Sequence, residues 1–243
     1  MSAHAVYPPS SGDRWLACHG SIDLIASLNL PAGEHTIYTA RGTVIHAMSE
    51  AVLLDSSVVL LPGSKWSEWD DHLPEHLAEE LVTEHMVTQA MSYVKTVLGM
   101  VPDDGELRVE YRCTHSDVLF GTADAVITAP GLLIIADLKT GNHLVSPDSN
   151  VQLLTYAGMA VSNLQITPDV IMLAIIQPPN EKHLLRVWRT DMQEIHRHME
   201  RVEDALEGYK LIAGSHCKWC PAKNQCCAGM EVLDGLELPD IFR

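Results

Sequence analysis

The sequence predicts a single α/β domain in which helices pack against a β-sheet. Three consecutive segments rich in β-branched residues, 106–113, 118–128 and 131–139, are typical of neighbouring strands. Two further strand candidates, 169–177 and 183–190, follow a segment with helical spacing. With 243 residues, 47% of them hydrophobic, the chain is long enough for one substantial core or two small ones. Since no internal repeat or low-complexity segment divides it, we expect one domain whose two ends fold onto each other.

Capping residues and apolar spacing predict the helices in chain order. The opening SSGDRWLAC predicts a short helix capped by Ser10 or Ser11, with a second apolar turn behind it. The run GTVIHAMSEAVLL at 42–54 predicts a helix that Thr43 could cap, followed by an irregular segment. Helical spacing returns over three later segments, 74–98, 150–164 and 191–212.

Charge and hydropathy narrow the class of protein. Residues 1–20 contain no apolar run of signal-peptide length, and no membrane-spanning run appears, so we expect a cytoplasmic protein without a membrane partner. The net charge of −16 argues against binding to nucleic acid. However, segment 182–223 carries eight Lys and Arg residues against six acids. The most acidic stretch, 55–84, is typical of a solvated surface.

Two aspartates lie in the predicted hairpin GTADAVITAPGLLIIADLK. If Pro130 and Gly131 form the turn, the numbers of opposite residues add up to 261, which places Asp124 opposite Asp137. Opposed carboxylates destabilise a sheet unless a cation lies between them, and Mg²⁺ prefers such oxygen ligands. Lys139 lies on the same strand face as Asp137, where it could activate water or stabilise a phosphate. Taken alone, an Asp-x-Lys pattern at the end of an apolar strand usually marks the point where the strand reaches the solvent-exposed surface.

Further polar side chains flank this hairpin. Glu110 ends the apolar stretch LRVE, and Gln152 and Tyr156 share one face of the following helix. His46 lies on the predicted helix 42–54, where its imidazole is a candidate ligand for Mn²⁺. Each of these features is more often structural when it occurs alone.

The order of these motifs resembles the RecB-like branch of the PD-(D/E)XK nuclease superfamily. The resemblance rests on GTVIH, Glu110, GTAD, DLK and QLLTY, and it covers roughly residues 41–160. It implies a restriction-endonuclease-like mixed β-sheet flanked by helices. It also implies that His46, Asp124 and Asp137 bind Mg²⁺ or Mn²⁺ and that Lys139 is the catalytic lysine, with a less certain role for Glu110. Gln152 and Tyr156 match the QxxxY motif of this branch.

The six cysteines are unevenly placed, and a reducing compartment favours metal ligation or free thiols over disulfides. Cys217, Cys220 and Cys226 have the spacing C-x₂-C-x₅-C, and Cys18 lies some 200 residues earlier. By count alone, these four fit zinc and an iron–sulfur cluster equally well. The resemblance implies a [4Fe–4S] cluster that joins the N- and C-terminal segments. The remaining two are Cys227, an alternative ligand beside Cys226, and Cys113, a core residue.

Together these expectations describe a metal-dependent DNA nuclease, an exonuclease acting on DNA ends. The resemblance alone implies a role in phage or prophage recombination or in DNA processing. Residues 41–190 form its nuclease core, 1–40 with 191–227 hold the cluster, and 228–243 form a tail. DNA would follow the basic segment 182–223, while a recombination partner protein and a homo-oligomer stay open. Two other classes stay open as well. One is a non-catalytic DNA-binding or assembly module with zinc in place of the iron–sulfur cluster, and the other is a zinc-stabilised scaffold that binds a protein through its acidic stretch.

Overall fold

A computed structural model describes residues 5–30, 36–226 and 228. Seven helices and five strands make up its regular structure. In chain order they are α1 (Gly12–Ala17), α2 (Ser21–Ser27), α3 (Ile37–Leu54), α4 (Glu75–Ala78), α5 (Glu84–Met100), β1 (Glu106–Thr114), β2 (Phe120–Ala129), β3 (Leu132–Leu138), α6 (Val151–Leu164), β4 (Val170–Ile176), β5 (Leu185–Thr190) and α7 (Met192–Glu207). Short 3₁₀ turns lie at Pro9–Ser11, Trp66–Glu68, Glu181–His183 and Ser215–Trp219.

The five strands form one mixed sheet in the order β1-β2-β3-β4-β5. Neighbouring strands are antiparallel except β3 and β4, which are parallel and are joined through α6. A parallel pair needs a crossover connection, and α6 supplies it. The predicted mixed sheet flanked by helices is therefore confirmed.

The β2–β3 hairpin has the predicted register. Opposite residues add up to 261 from the pair Ala125 and Ala136 to the pair Ala129 and Leu132. Gly131 adopts a φ of +71°, which a residue with a side chain rarely adopts, so the Pro-Gly turn is encoded locally. Continued by one residue beyond the pair Ala125 and Ala136, this register would place Asp124 opposite Asp137.

The central strands are buried on both faces because helices cover both sides of the sheet. Leu133 and Ile135 pack into one core with α1, α6 and α7. Ile134 and Ala136, which alternate with them along β3, pack into a second core with α3 and α5. This two-sided burial explains why β3 is an unbroken apolar run in the sequence.

Three helices differ from their predicted bounds, and one of them, α7, ends at Glu207 instead of residue 212. The helix that contains GTVIH begins at Ile37, where the Thr36 side chain accepts a hydrogen bond from the Thr39 N–H at 3.2 Å. The expected cap, Thr43, lies inside α3 and donates its hydroxyl to the Thr39 carbonyl instead. The predicted helix 74–98 is two helices, α4 and α5, because residue 81 leaves the helix to pair with Lys65.

The first helix begins near its predicted cap but is not capped by a side chain. Ser11 occupies the N-cap position of α1, and its hydroxyl donates to the Pro8 carbonyl at 3.3 Å. None of the helices in the described part of the chain is both long and apolar enough to cross a bilayer.

Candidate metal centre

Three acidic residues lie side by side across β1, β2 and β3. Val109 pairs with Ala125 and Tyr111 with Ala123, which places Glu110 opposite the residue between them, Asp124. The β2–β3 ladder ends at Ala125, one step before Asp124 and Asp137. There the Asp124 carboxylate accepts the Leu138 N–H at 2.7 Å. The carboxylate therefore replaces a ladder bond where the two strands diverge.

Glu110 has an unusual backbone conformation in the middle of β1. Its φ is +48°, in the left-handed region that residues with side chains seldom occupy. The pairing register is the same before and after Glu110, so β1 contains no inserted residue and no β-bulge at this position. Such local strain costs on the order of 1–3 kcal/mol and concentrates at functional sites.

His46, Glu110 and Asp124 converge on one point. Each offers one ligand atom, and these three atoms lie within 4.8 Å of one another. His46 belongs to α3, and its Nδ1 lies 3.6 Å from Asp124 Oδ1. Within the described residues, this is the group of three with the spacing of a metal site. It contains Glu110, whereas the family resemblance implied Asp137 as the third ligand.

Asp137 belongs instead to a second cluster with Lys139 and Gln152. Lys139 Nζ lies 2.7 Å from Asp137 Oδ2 and donates to Gln152 Oε1 at 3.1 Å. Gln152 Nε2 donates to Asp137 Oδ1 at 2.9 Å. The amide thus has its oxygen toward the ammonium and its nitrogen toward the carboxylate, an orientation that the charges fix. Asp137 Oδ2 is buried and receives no hydrogen bond of good geometry.

The site is electrostatically unbalanced. Burial and the charge of Asp124 raise the pKa of Asp137 to about 6, and burial, Asp124 and Glu50 raise the pKa of Glu110 to about 7. Burial opposes protonation of His46, but Asp124 and the other carboxylates outweigh it and raise its pKa to about 8. Although Asp124 is also desolvated, His46 and the Leu138 N–H keep its pKa below the usual value.

The last residue of the QxxxY motif packs beneath the site. Tyr156 is buried, and burial followed by the charges of Asp124 and Asp137 raises its pKa. A Cβ at Gly121 would lie 2.9 Å from the Tyr156 hydroxyl. The glycine of GTAD therefore makes room for the tyrosine, and these two distant motifs share one contact.

A buried glutamine, which the sequence pattern did not single out, supports the segment after Lys139. Gln177, the first residue after β4, donates to the carbonyls of Gly141 and His143 at 2.6 and 2.7 Å. It accepts from Arg186 at 2.6 Å and from the Val145 N–H at 3.3 Å. The chain is thus held in place directly beyond the catalytic-lysine position. The contacts with Gly141, His143 and Val145 cross more than 30 residues, and local sequence pattern cannot reveal them.

Tyr93 on α5 is another residue near the site that the sequence did not single out. Its hydroxyl is buried without a hydrogen-bond partner. Burial, and then the charges of Asp124, Asp137 and Glu110, raise its pKa.

Among the described cysteines, Cys113 lies in the core as predicted, and the other four form no closed four-sulfur site. Cys113 is fully buried in β1, where desolvation raises its pKa to about 12. Burial also raises the pKa of Cys18, and the thiols of Cys217, Cys226 and Cys220 add to that shift across the chain. Cys227 lies outside the described residues.

Two backbone N–H groups point at these sulfurs. Ile212 donates to Cys18 Sγ at 3.3 Å, and Gly214 donates to Cys217 Sγ at 3.4 Å. The segment after α7 therefore returns to α1, as expected for chain ends that fold onto each other.

The basic segment 182–223 is partly neutralised by the fold. Arg186 donates to Gln177 and to the Val145 carbonyl, and Arg197 pairs with Glu194 at 2.6 Å. The remaining cations are distributed over β5, α7 and the cysteine-rich segment.

Comparison with known protein families matches residues 4–240 to the family described as "Protein of unknown function (DUF2800)". The chain therefore belongs to this family. Comparison with solved structures finds a chain titled "Crystal structure of SSO0001", which is 16% identical. The match covers 87% of this chain and 95% of that chain with a TM-score of 0.30.

Proposed function

We propose that this protein is a metal-dependent deoxyribonuclease, an exonuclease built on a restriction-endonuclease-like sheet. The observation that carries the proposal is the convergence of His46, Glu110 and Asp124 within 4.8 Å, beside the ion pair of Asp137 and Lys139. Carboxylates and an imidazole around one point, next to a lysine, suit hydrolysis of a phosphodiester bond.

The donor set fits Mg²⁺ or Mn²⁺. Carboxylate oxygens are the preferred ligands of both ions, and an imidazole is well tolerated by Mn²⁺. Asp137 Oδ2 pairs with Lys139 Nζ at 2.7 Å, so the carboxylates that converge with His46 are those of Glu110 and Asp124. The raised pKa values of Asp137 and Glu110 indicate negative charge that lacks a counter-ion, and a divalent cation would supply it.

The side chains have separate tasks in this proposal. A bound divalent ion would lower the pKa of a water molecule and polarise the scissile phosphate. Lys139 Nζ stabilises charge that develops on the phosphate oxygens. Gln152 orients Lys139 and Asp137 together, because it contacts both. Tyr156 supports the floor of the site against Gly121.

We propose further that Cys18, Cys217, Cys220 and Cys226 hold a [4Fe–4S] cluster. Hydrogen bonds from backbone N–H groups to Cys18 and Cys217 support metal ligation, since such bonds stabilise thiolates. Zinc is the alternative, and its ligands at about 2.3 Å would bring the sulfurs to roughly 3.8 Å from one another. In the described part of the chain no three of these thiols lie within 4.8 Å of one another, so the preference for the iron–sulfur cluster rests on the sequence resemblance.

The biological setting rests on the sequence resemblance alone. It points to phage or prophage recombination, with DNA as the partner and a recombination protein beside it. No contact in the structure carries this part of the proposal.

Incubation of purified protein with end-labelled linear DNA tests the nuclease proposal. Mn²⁺ or Mg²⁺ should support loss of the label and shortening of the strand, and EDTA should abolish both. DNA binding without cleavage under all three conditions would favour the alternative, a non-catalytic DNA-binding or assembly module.

A further inference from the structure

An acid-free groove adjoins the candidate metal centre. It consists of two clefts of about 470 and 550 Å³ that share Tyr38, Gly42, Thr140 and Gly141. His46 lines the second cleft, so the groove reaches the metal centre. Among the described residues that line the two clefts there is no Asp or Glu, although the chain carries a net charge of −16. An anion can therefore approach the carboxylate cluster along this route with less repulsion than elsewhere.

The first cleft contains a fixed cation. Arg41 on α3 lines it, and its guanidinium donates to Oε1 of the buried Gln89 at 3.2 Å. This tether leaves the other N–H groups of the guanidinium free to contact a ligand. His85 and His143 line the same cleft. The groove is thus suited to phosphate.

An exposed aromatic ring lies where the two clefts meet. Tyr38 is 81% exposed and lies about two helical turns before His46 on α3, and both residues line the second cleft. Eight residues of helix separate the two by about 12 Å along the helix axis, a distance that a strand of a few nucleotides spans. A base can therefore reach Tyr38 while a phosphate a few nucleotides away reaches the metal centre.

We propose that this groove binds an unpaired DNA strand, with a base stacked on Tyr38 and a phosphate on Arg41. The proposal rests on the nuclease function and names its substrate as single-stranded DNA. Bases of a duplex have both faces covered by their neighbours, whereas an unpaired base offers a face to an aromatic ring. The groove takes the role expected for segment 182–223, where Arg186 and Arg197 have partners within the protein.

The test measures binding separately from cleavage. Fluorescence anisotropy of a labelled oligo-dT of about 12 nucleotides is followed in Mg²⁺ with Asp137→Asn as the parent protein. Tyr38→Ala should weaken binding by between about fivefold and a hundredfold, and Tyr38→Phe should retain it because the ring remains. Arg41→Gln should reduce the slope of log affinity against log salt by about 0.7, the loss of one phosphate contact on a single strand.

Tyr209→Ala is the matched control, because Tyr209 is 79% exposed and does not line the groove. It should bind like the parent. Equal binding by Tyr38→Ala and the parent would overturn the groove, as would equal losses in Tyr38→Ala and Tyr209→Ala. Tighter binding of a blunt duplex, or of an oligo-rU of the same length, would overturn single-stranded DNA as the occupant.

Failure of the groove is distinguishable from failure of the nuclease proposal. If oligo-dT binds through Tyr38 but the unsubstituted protein never cleaves it, the groove stands and the nuclease proposal fails. If the unsubstituted protein cleaves DNA and Tyr38→Ala binds and cleaves equally well, the nuclease proposal stands and the groove is wrong.

Discussion

Asp137→Asn should raise the stability of the metal-free protein while it abolishes cleavage. The pKa of Asp137 in the fold is about 6, against an ordinary value of 3.8. A carboxyl with a raised pKa binds protons more tightly in the folded state, so its ionisation costs stability as the pH rises through that interval. Complete ionisation costs about 3 kcal/mol at 1.36 kcal/mol per pKa unit, and an asparagine avoids this cost.

The gain depends on pH in a defined direction. At pH 8 the full cost of about 3 kcal/mol is relieved, but at pH 5 the folded carboxyl is mostly protonated and about half of that cost is relieved. For a chain of this size, thermal unfolding in EDTA should show a rise in Tm of about 6–12 °C at pH 8 and about half of that at pH 5. Saturating Mn²⁺ should narrow the difference, because an ion that binds the native site stabilises the unsubstituted protein.

Two results would refute this reasoning. A Tm for Asp137→Asn at or below that of the unsubstituted protein at pH 8 would show that Asp137 is not under electrostatic stress. Undiminished cleavage by the variant would remove Asp137 from the catalytic site.

Three further predictions follow from the same contacts. Lys139→Ala should reduce turnover by about two to four orders of magnitude, while calorimetry should show nearly unchanged Mn²⁺ binding. Loss of Mn²⁺ binding would contradict a role for Lys139 in catalysis and not in metal binding. Anaerobically purified protein should be brown and bleach on oxidation; Cys18→Ala should lose iron and solubility while Cys113→Ala keeps both, and stoichiometric zinc without iron would reject the cluster. Gln177→Leu should increase hydrogen exchange at the Val145 amide and cost about 1–3 kcal/mol of stability, because it removes the hydrogen bonds to the Gly141 and His143 carbonyls and to the Val145 N–H. Unchanged exchange at Val145 would contradict the support that Gln177 gives to this segment.

The cysteine register has its own control. The spacing C-x₂-C-x₅-C predicts that Cys227→Ala keeps its iron and that Cys226→Ala loses it. The opposite pattern of iron contents would shift the ligand by one residue.

The sheet could be predicted from the sequence because its signals are local. Local strand patterns predicted all five strands to within two residues at each end, and the Pro130–Gly131 turn set the register of the β2–β3 pair. The alternation of Leu133 and Ile134 between two cores follows from the two-residue period of a strand.

The composition of the metal centre could be predicted only in part. His46, Glu110 and Asp124 were all candidates, but the grouping of Glu110 with His46 depends on a backbone φ of +48° that no sequence pattern announces. Asp137 was expected at the metal centre because the hairpin register places it opposite Asp124. Its side chain instead meets Lys139 and Gln152.

Helix boundaries and long-range supports were predicted least well. The helix α3 is capped by Thr36 and not by Thr43. The sequence did not indicate the earlier start, because Ile37 and Tyr38 in the first turn are exposed and do not continue the periodic apolar pattern. Arg41 and Gln177 act through partners that are 48 and more than 30 residues away, respectively. Their roles depend on tertiary packing.

The most direct test of the central claim compares Mn²⁺-dependent degradation of end-labelled single-stranded DNA by the unsubstituted protein and by Asp124→Asn. The exposed Asp117, in the connection between β1 and β2, provides the matched control Asp117→Asn. We expect the unsubstituted protein and Asp117→Asn to degrade the strand at equal rates, and Asp124→Asn to leave it intact while remaining folded. Degradation by all three proteins at the same rate, or by none of them, would contradict a nuclease centred on Asp124.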